Sequence, residues 1–206
     1  MQLPNNAATN GWYNVLPDPA PAKQVCGTVR APYVVLGAGV TGLSAARQLA
    51  THLPDEEIVL IEAERVGFGT SGRNSGFALD SFFHGDEPLN NPELSAAHAR
   101  LCTGGLNILR KLVKENEIEC GWHDWGKLHV SAGAEGDTSL KGFIQGYKSL
   151  GIQAQELNAE EVAAVTGSTF YTAGLKVEGT GLMNPAAMCR GLGETCLLYT
   201  SDAADE

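Results

Sequence analysis

The run Tyr33-Val34-Val35-Leu36 passes directly into Gly37-Ala38-Gly39-Val40-Thr41-Gly42 and then into a helix-forming stretch. A second apolar run, Ile58 to Glu62, ends on a carboxylate about 20 residues further on, the interval of a dinucleotide-binding βαβ unit. Each glycine has a task in such a unit. Gly37 turns the chain sharply off the strand, Gly39 lets backbone N–H groups approach a pyrophosphate with no Cβ in the way, and Gly42 lets helix pack closely on strand. Ala46 keeps that contact face small. With 25 glycines in 206 residues the hexapeptide alone would carry little; the strand before it, the helix after it and the acid carry the assignment.

The same pattern locates the ligand. Phosphates would sit at the helix N-terminus near Val40, where unpaired N–H donors and the helix dipole favour negative charge. Glu62 would accept hydrogen bonds from ribose hydroxyls and repel a 2′-phosphate, which disfavours NADP.

Charge and hydropathy remove other classes. A net charge of −10 without a Lys/Arg cluster gives no basis for nucleic-acid binding. No apolar run approaches the about 18 residues that span a bilayer. Met1 to Gly11 has neither a basic start nor an apolar core, so no signal peptide is expected and a cytosolic enzyme fits. Cys26, Cys102, Cys120, Cys189 and Cys196 are odd in number and widely spaced, which favours reduced thiols over a disulfide framework or a zinc knuckle.

Residues 1–32 carry repeated prolines and are expected to form an extended arm, which Trp12 and Tyr13 could pin to a folded body. Residues 33–90 hold the first segment of the nucleotide domain: strand Tyr33 to Leu36, helix Val40 to His52, and strand Ile58 to Glu62, covered on both faces. Directly after it, Gly67-Phe68-Gly69-Thr70-Ser71-Gly72-Arg73-Asn74-Ser75-Gly76-Phe77 makes a poor regular element and a good sheath for a large, polar, planar ligand.

Residues 91–183 form a helical and substrate-domain segment. Asn91 caps a helix running to about Glu117, with Pro92 first and Glu93 in its first turn, and Leu94, Ala97, Leu101, Ile108, Leu112 and Val113 form a stripe expected to pack into a core. A strand near Lys127 to Ala132, a helix near Asp137 to Leu150, an Asn158-capped helix to Val165 and a strand Phe170 to Val177 follow. His123, Asp124 and His129 are not expected to hold a metal, because an extended strand offers poor convergence. Residues 184–195, opened by Asn184-Pro185, form a return helix ending near Gly193. Cys196 to Glu206 looks like a translated sequencing adapter, which would end the native sequence near Thr195.

Tyr33 to Phe77 resembles the amine and D-amino-acid oxidase family of FAD-dependent oxidoreductases, whose members join G-x-G-x-x-G and a ribose acid to a G-x-G-x-S-G-R-N-x-G loop. The likeness is nearest to the γ-glutamylputrescine oxidase and sarcosine oxidase-like group, which shares the Trp-Tyr leader. Gly179-Thr180-Gly181-Leu182-Met183-Asn184-Pro185 looks like that family's return from substrate sheet to FAD domain. The resemblance implies a Rossmann-like α/β FAD-binding domain with the start of an α+β substrate domain, truncated at its C-terminal side. It implies FAD held by Gly37, Ala38, Gly39, Val40, Thr41 and Gly42 at the pyrophosphate and by Glu62 and Ala63 at the ribose. Ser71 and Gly72 would line the diphosphate and ribityl chain, and Arg73, Asn74, Ser75 and Gly76 would pass near the isoalloxazine, with Arg73 the local cation for the reduced ring. Ser75 departs from the glycine more usual there.

The reaction so implied is oxidation of a C–N bond in an amine or amino acid, with oxygen, a quinone or another acceptor downstream. No catalytic residue is named. Two other readings stand beside it: an NAD-dependent dehydrogenase of the same fold, which the Ser71 to Gly76 loop argues against, and a non-catalytic fragment. Residues 1–195 alone are expected to retain FAD weakly and to be inactive.

Overall fold

A computed structural model of the chain describes residues 10–19, 24–81 and 87–198, the side chains of 197 and 198 excepted. Residues 1–9 and 20–23 of the expected arm and the expected tail from Tyr199 onward lie outside the described residues. The chain divides into two units.

The first unit gathers the described residues up to Gly76, Lys111–Trp122 and those from Met183 onward. Strands β1 (Tyr33–Leu36) and β2 (Ile58–Ile61) pair in parallel, Tyr33 opposite Ile58 and Leu36 opposite Ile61. The crossover between them is α2 (Val40–His52), which buries Leu43 and Ala46 and ends before Pro54. A four-residue helix, α1 (Gly11–Asn14), interrupts the expected extended arm. It forms because Pro4 and Pro17 leave residues 10–14 free of proline and the Asn10 side chain accepts the Trp12 N–H at 2.9 Å. The last helix, numbered after four others described below, is α7 (Pro185–Leu198). Asn184 Oδ1 caps it, accepting from Ala186 and Ala187 N–H, and it continues five residues past the expected end at Gly193.

The second unit comprises Phe77–Arg110 and His123–Leu182. Here β3 (Phe77–Ala78) pairs antiparallel with β7 (Gly181–Leu182). A three-stranded antiparallel sheet has β6 (Ala173–Val177) at its centre, flanked by β4 (Lys127–Ser131) and β5 (Ala154–Asn158). Its helices are α3 (Glu87–Asn90), α5 (Ala134–Ser149) and α6 (Ala159–Thr166), and α4 (Pro92–Glu115) runs on into the first unit. Asn158 and Glu161 exchange side chain to backbone bonds in a capping box, so α6 starts where the sequence places it. Strand β6 starts three residues later than expected, because the Ser168 hydroxyl accepts the Phe170 N–H and holds Phe170 in a turn.

Two expectations of burial are corrected: β2, expected to be covered on both faces, is half-buried along its length, and on α4 Leu94, Leu101 (74%) and Ile108 are exposed. Three of the four residues of β1 are exposed as well, with Leu36 at 78%. Among the described residues β1 pairs with β2 alone, and nothing covers the Leu94-Leu101-Ile108 stripe. Period tells which residues share a face; it does not supply the surface that covers it.

The core of the second unit is Leu140, Tyr147, Leu175 and Val177, with Phe143 and Ile144 packed on it. His129 of β4 sits against this core, stacked on Phe143 at 4.5 Å with Nε2 3.2 Å from the Tyr147 hydroxyl. Burial first, and then the charge of Lys127, hold its pKa below 6.5. The unfolded chain therefore takes up a proton on falling through pH 6.5 that the folded chain refuses, so this histidine lowers stability as acidity increases. We expect the urea midpoint to fall between about pH 7.5 and 5.5 in the wild type and more shallowly in His129→Phe. Parallel slopes would assign the acid sensitivity elsewhere.

Candidate functional site

The glycine turn closes on itself through backbone bonds. Gly37 N–H donates to Ile61 O at 2.7 Å, extending the parallel ladder by one rung, and Gly37 then leaves the strand at φ +97°, a conformation open to glycine. Leu43 N–H reaches Gly39 O at 2.9 Å and starts α2. A Cβ on Gly42 would overlap the Gly37 carbonyl oxygen, so the first turn of the helix rests directly on the turn that precedes it.

Glu62, one residue past β2, lies at the mouth of this turn. Its Oε2 accepts the Ala38 N–H at 2.7 Å and its Oε1 accepts the Glu64 N–H at 3.2 Å. Ala63 follows, exposed. The loop returns to the same place: Gly67 N–H donates to Ala38 O at 2.9 Å, and Ser71 Oγ accepts the Val40 N–H at 3.1 Å. A Cβ on Gly39 would lie 2.8 Å from that hydroxyl. The structure thus brings together Gly37 to Gly42, Glu62 and Ser71 from three separate stretches of sequence. Thr41 is the second residue of α2 and exposed.

The remaining loop residues shape the loop. Thr70–Gly72 form a single 3-10 turn, with Gly72 N–H on Gly69 O and Arg73 N–H on Thr70 O. Asn74 spends its amide within the loop, donating to Ser71 O at 2.8 Å and accepting the Gly76 N–H at 2.8 Å. Ser75 is exposed and Gly76 buried, its carbonyl accepting Met183 N–H at 3.0 Å. Arg73, expected to offer a cation to the ligand, donates through Nε to Phe68 O at 2.6 Å and lies over the Phe68 ring at 4.6 Å. Its Nη2 is buried without a partner among the described residues.

Of the residues behind the loop, the sequence marked Trp12 and Tyr13 as pins for the arm but gave neither them nor Cys189 a place at this site. Tyr13 is buried, and its hydroxyl donates to Gly67 O. Burial raises the Tyr13 pKa above its usual 10.0, seconded by Cys189, against the lowering pull of Arg65, Arg73 and Arg190. Cys189 of α7 presses on Gly67, where a Cβ would come within 2.6 Å of its own, and burial pushes its thiol up to about 11, leaving it inert. The signal for Tyr13 was an aromatic pair in an otherwise polar arm.

An N–H-lined turn at a helix start with a carboxylate beside it has the chemistry to accept a phosphate and a sugar diol. The family described as FAD dependent oxidoreductase matches residues 32–198. The chain is 29% identical over 167 residues to a probable oxidoreductase, OrdL, of Haemophilus influenzae, covering 79% of this chain and 38% of that protein. It is 28% identical over 161 residues to the γ-glutamylputrescine oxidoreductase of Escherichia coli, covering 76% and 37%. The chain thus spans about two fifths of the length of these relatives. Among solved structures, glycine oxidase from Bacillus cereus superposes with a TM-score of 0.67 at 13% identity, over 83% of this chain and 45% of that one, which shows a shared fold.

Proposed function

The chain belongs to the FAD-dependent oxidoreductase family, and from that premise we propose that its first unit supplies the pyrophosphate and ribose subsites for FAD in an enzyme that oxidises the C–N bond of an amine or amino acid. The observation that carries the reading is the meeting of Glu62, Ser71 and the Gly37 to Gly42 turn at the start of α2. These residues fit the cofactor. The glycines at 39 and 42 allow approaches to Ser71 and to the Gly37 carbonyl that a Cβ would block, the N-terminal dipole of α2 favours the diphosphate, and the Glu62 carboxylate is an acceptor for a ribose diol. The NAD alternative falls with the family, which is FAD dependent.

In this reading FAD supplies a hydride acceptor. The protein's part is placement. The βα turn anchors the diphosphate, Glu62 fixes the ribose, and the self-bonded loop from Gly67 to Gly76 holds a rigid wall beside them. The relatives named for γ-glutamylputrescine and glycine favour an amine or amino acid as the partner molecule. The free thiols support a cytosolic site, which cell fractionation would check.

Titration of the chain with FAD, followed by quenching of flavin fluorescence, should show saturable binding that NAD does not displace. Glu62→Gln should weaken it by about tenfold or more, the loss of a charge-assisted bond of about 1.5–3 kcal/mol. Turnover is read on the complete gene product as amine-dependent bleaching of the flavin. A colourless protein that retains NAD, or Glu62→Gln binding FAD as the wild type does, would overturn the proposal.

A further inference from the structure

The family match begins at residue 32, yet the segment that grips the cofactor loop lies upstream of it. Asn10 Nδ2 donates to Gly72 O at 3.0 Å, Trp12 Nε1 donates to Asn74 O at 2.9 Å, and the Tyr13 hydroxyl donates to Gly67 O. Three side chains from one short turn of chain thereby hold three carbonyls spread along the loop. The contact is steric as well, since a Cβ on Gly72 would lie 2.7 Å from the Tyr13 hydroxyl.

The grip is itself anchored. Asn10 Oδ1 caps α1 while its amide holds Gly72. Asn184 Nδ2 donates to Trp12 O at 3.2 Å and Arg190 donates to Pro17 O at 2.6 Å, which bind α1 and the segment after it to α7 and its cap. The Tyr13 ring lies among three guanidinium groups, with Arg65 at 4.6 Å, Arg190 at 5.3 Å and Arg73 at 5.8 Å from its centre. Arg73 belongs to the loop, so the ring couples loop and arm a fourth time.

The geometry points to α1 as a clamp that sets the conformation of the loop from Gly67 to Gly76, with Asn10, Trp12 and Tyr13 as positioning residues for FAD. Peptide planarity carries the effect through. The Asn74–Ser75 peptide is trans, so a carbonyl fixed on Trp12 turns the Ser75 N–H to the opposite face. Local turns within the loop set its shape; the clamp sets where that shape stands relative to Glu62 and α2. The role in FAD binding rests on the function proposed above, whereas the clamping of the loop does not.

The test is amide hydrogen exchange over residues 67–76 in the ligand-free chain, paired with FAD titration, for the wild type, Trp12→Phe/Tyr13→Phe and Tyr13→Ala. Phenylalanine keeps an aromatic ring at both positions and removes two donors. Loop exchange should rise about tenfold in the double variant, with exchange across β4 and β6 unchanged and FAD affinity down by about tenfold. Tyr13→Ala should exceed both effects, because the arginines lose their ring. Unchanged loop exchange, or an equal rise in β4 and β6, would overturn the clamp. A wild type that takes up no FAD while the variants still loosen the loop would leave the clamp standing and sink the FAD reading. Full FAD binding with unchanged loop exchange in the variants would do the reverse.

Discussion

Gly42→Ala should abolish measurable FAD binding and lower the thermal midpoint, although it adds one methyl group to a helix. Alanine is the better helix former at most positions, by about 0.5–1 kcal/mol over glycine. Here the added Cβ would overlap the Gly37 carbonyl oxygen and stand 3.0 Å from the Gly37 carbonyl carbon and 3.5 Å from Val35 Cγ1. None of these is the free end of a flexible chain. Relief requires α2 to lift off β1, which moves the Ala38 and Val40 N–H groups away from Glu62 and Ser71. Overpacking of this kind costs about 1–3 kcal/mol, and each kcal/mol lowers the midpoint of a chain this size by about 2–4 °C. Binding should suffer more than stability, with affinity down about a hundredfold or more, because the donors must hold position to within about 0.5 Å. Gly104→Ala provides the control. It lies in α4 with open space around its missing Cβ, so it should gain about 0.5–1 kcal/mol and leave FAD binding untouched. A Gly42→Ala protein that matches wild type in both midpoint and flavin affinity would mean the close approach of α2 has no bearing on the site.

This turn is also where the amino-acid pattern said most about the structure. The glycines, the strand before them and the acid after β2 are local features whose spacing translates into geometry through the fixed rise of strand and helix. Glu62 therefore lies against Ala38 as its position demands. The bounds of α4 and α6 were legible for a similar reason, since Asn91-Pro92 and Asn158-x-x-Glu161 are capping signals read within one turn. Strand β5 was not legible. Its sequence Ala-Gln-Glu-Leu-Asn buries Leu157 alone, and it exists because β6 offers it a ladder. Nor was α1, whose value lies in bonds to residues more than 50 positions away. The surroundings of Arg73 were equally hidden: its guanidinium lies 4.6 Å from the ring centre of nearby Phe68 and 5.8 Å from that of distant Tyr13.

The pair Lys127–Asp80 was invisible in the sequence and should yield the largest stability effect of any single charged-to-apolar substitution in the second unit. Lys127 opens β4 and Asp80 follows β3, with Nζ 3.1 Å from Oδ1 and side chains only 11% and 14% exposed. Both charges are further satisfied. Lys127 reaches Ser81 Oγ and O at 3.1 and 3.3 Å and lies 5.2 Å from the Tyr147 ring centre, and Asp80 Oδ1 also accepts the Thr180 hydroxyl at 3.3 Å. Removing one partner leaves the other charge with little water to turn to, at a cost of about 3–5 kcal/mol. Lys127→Met should therefore lower the urea midpoint steeply. Adding Asp80→Leu to Lys127→Met should recover a large part of the loss, because the penalty belongs to the orphaned carboxylate rather than to the missing attraction. Lys148–Glu156, 3.3 Å apart but with side chains 73% and 59% exposed, makes the comparison: Lys148→Ala should change stability by less than about 1 kcal/mol. A double variant at positions 80 and 127 that is no more stable than Lys127→Met alone would show that the loss comes from packing around the lysine stem, and that burial of the pair is not what makes it costly to break.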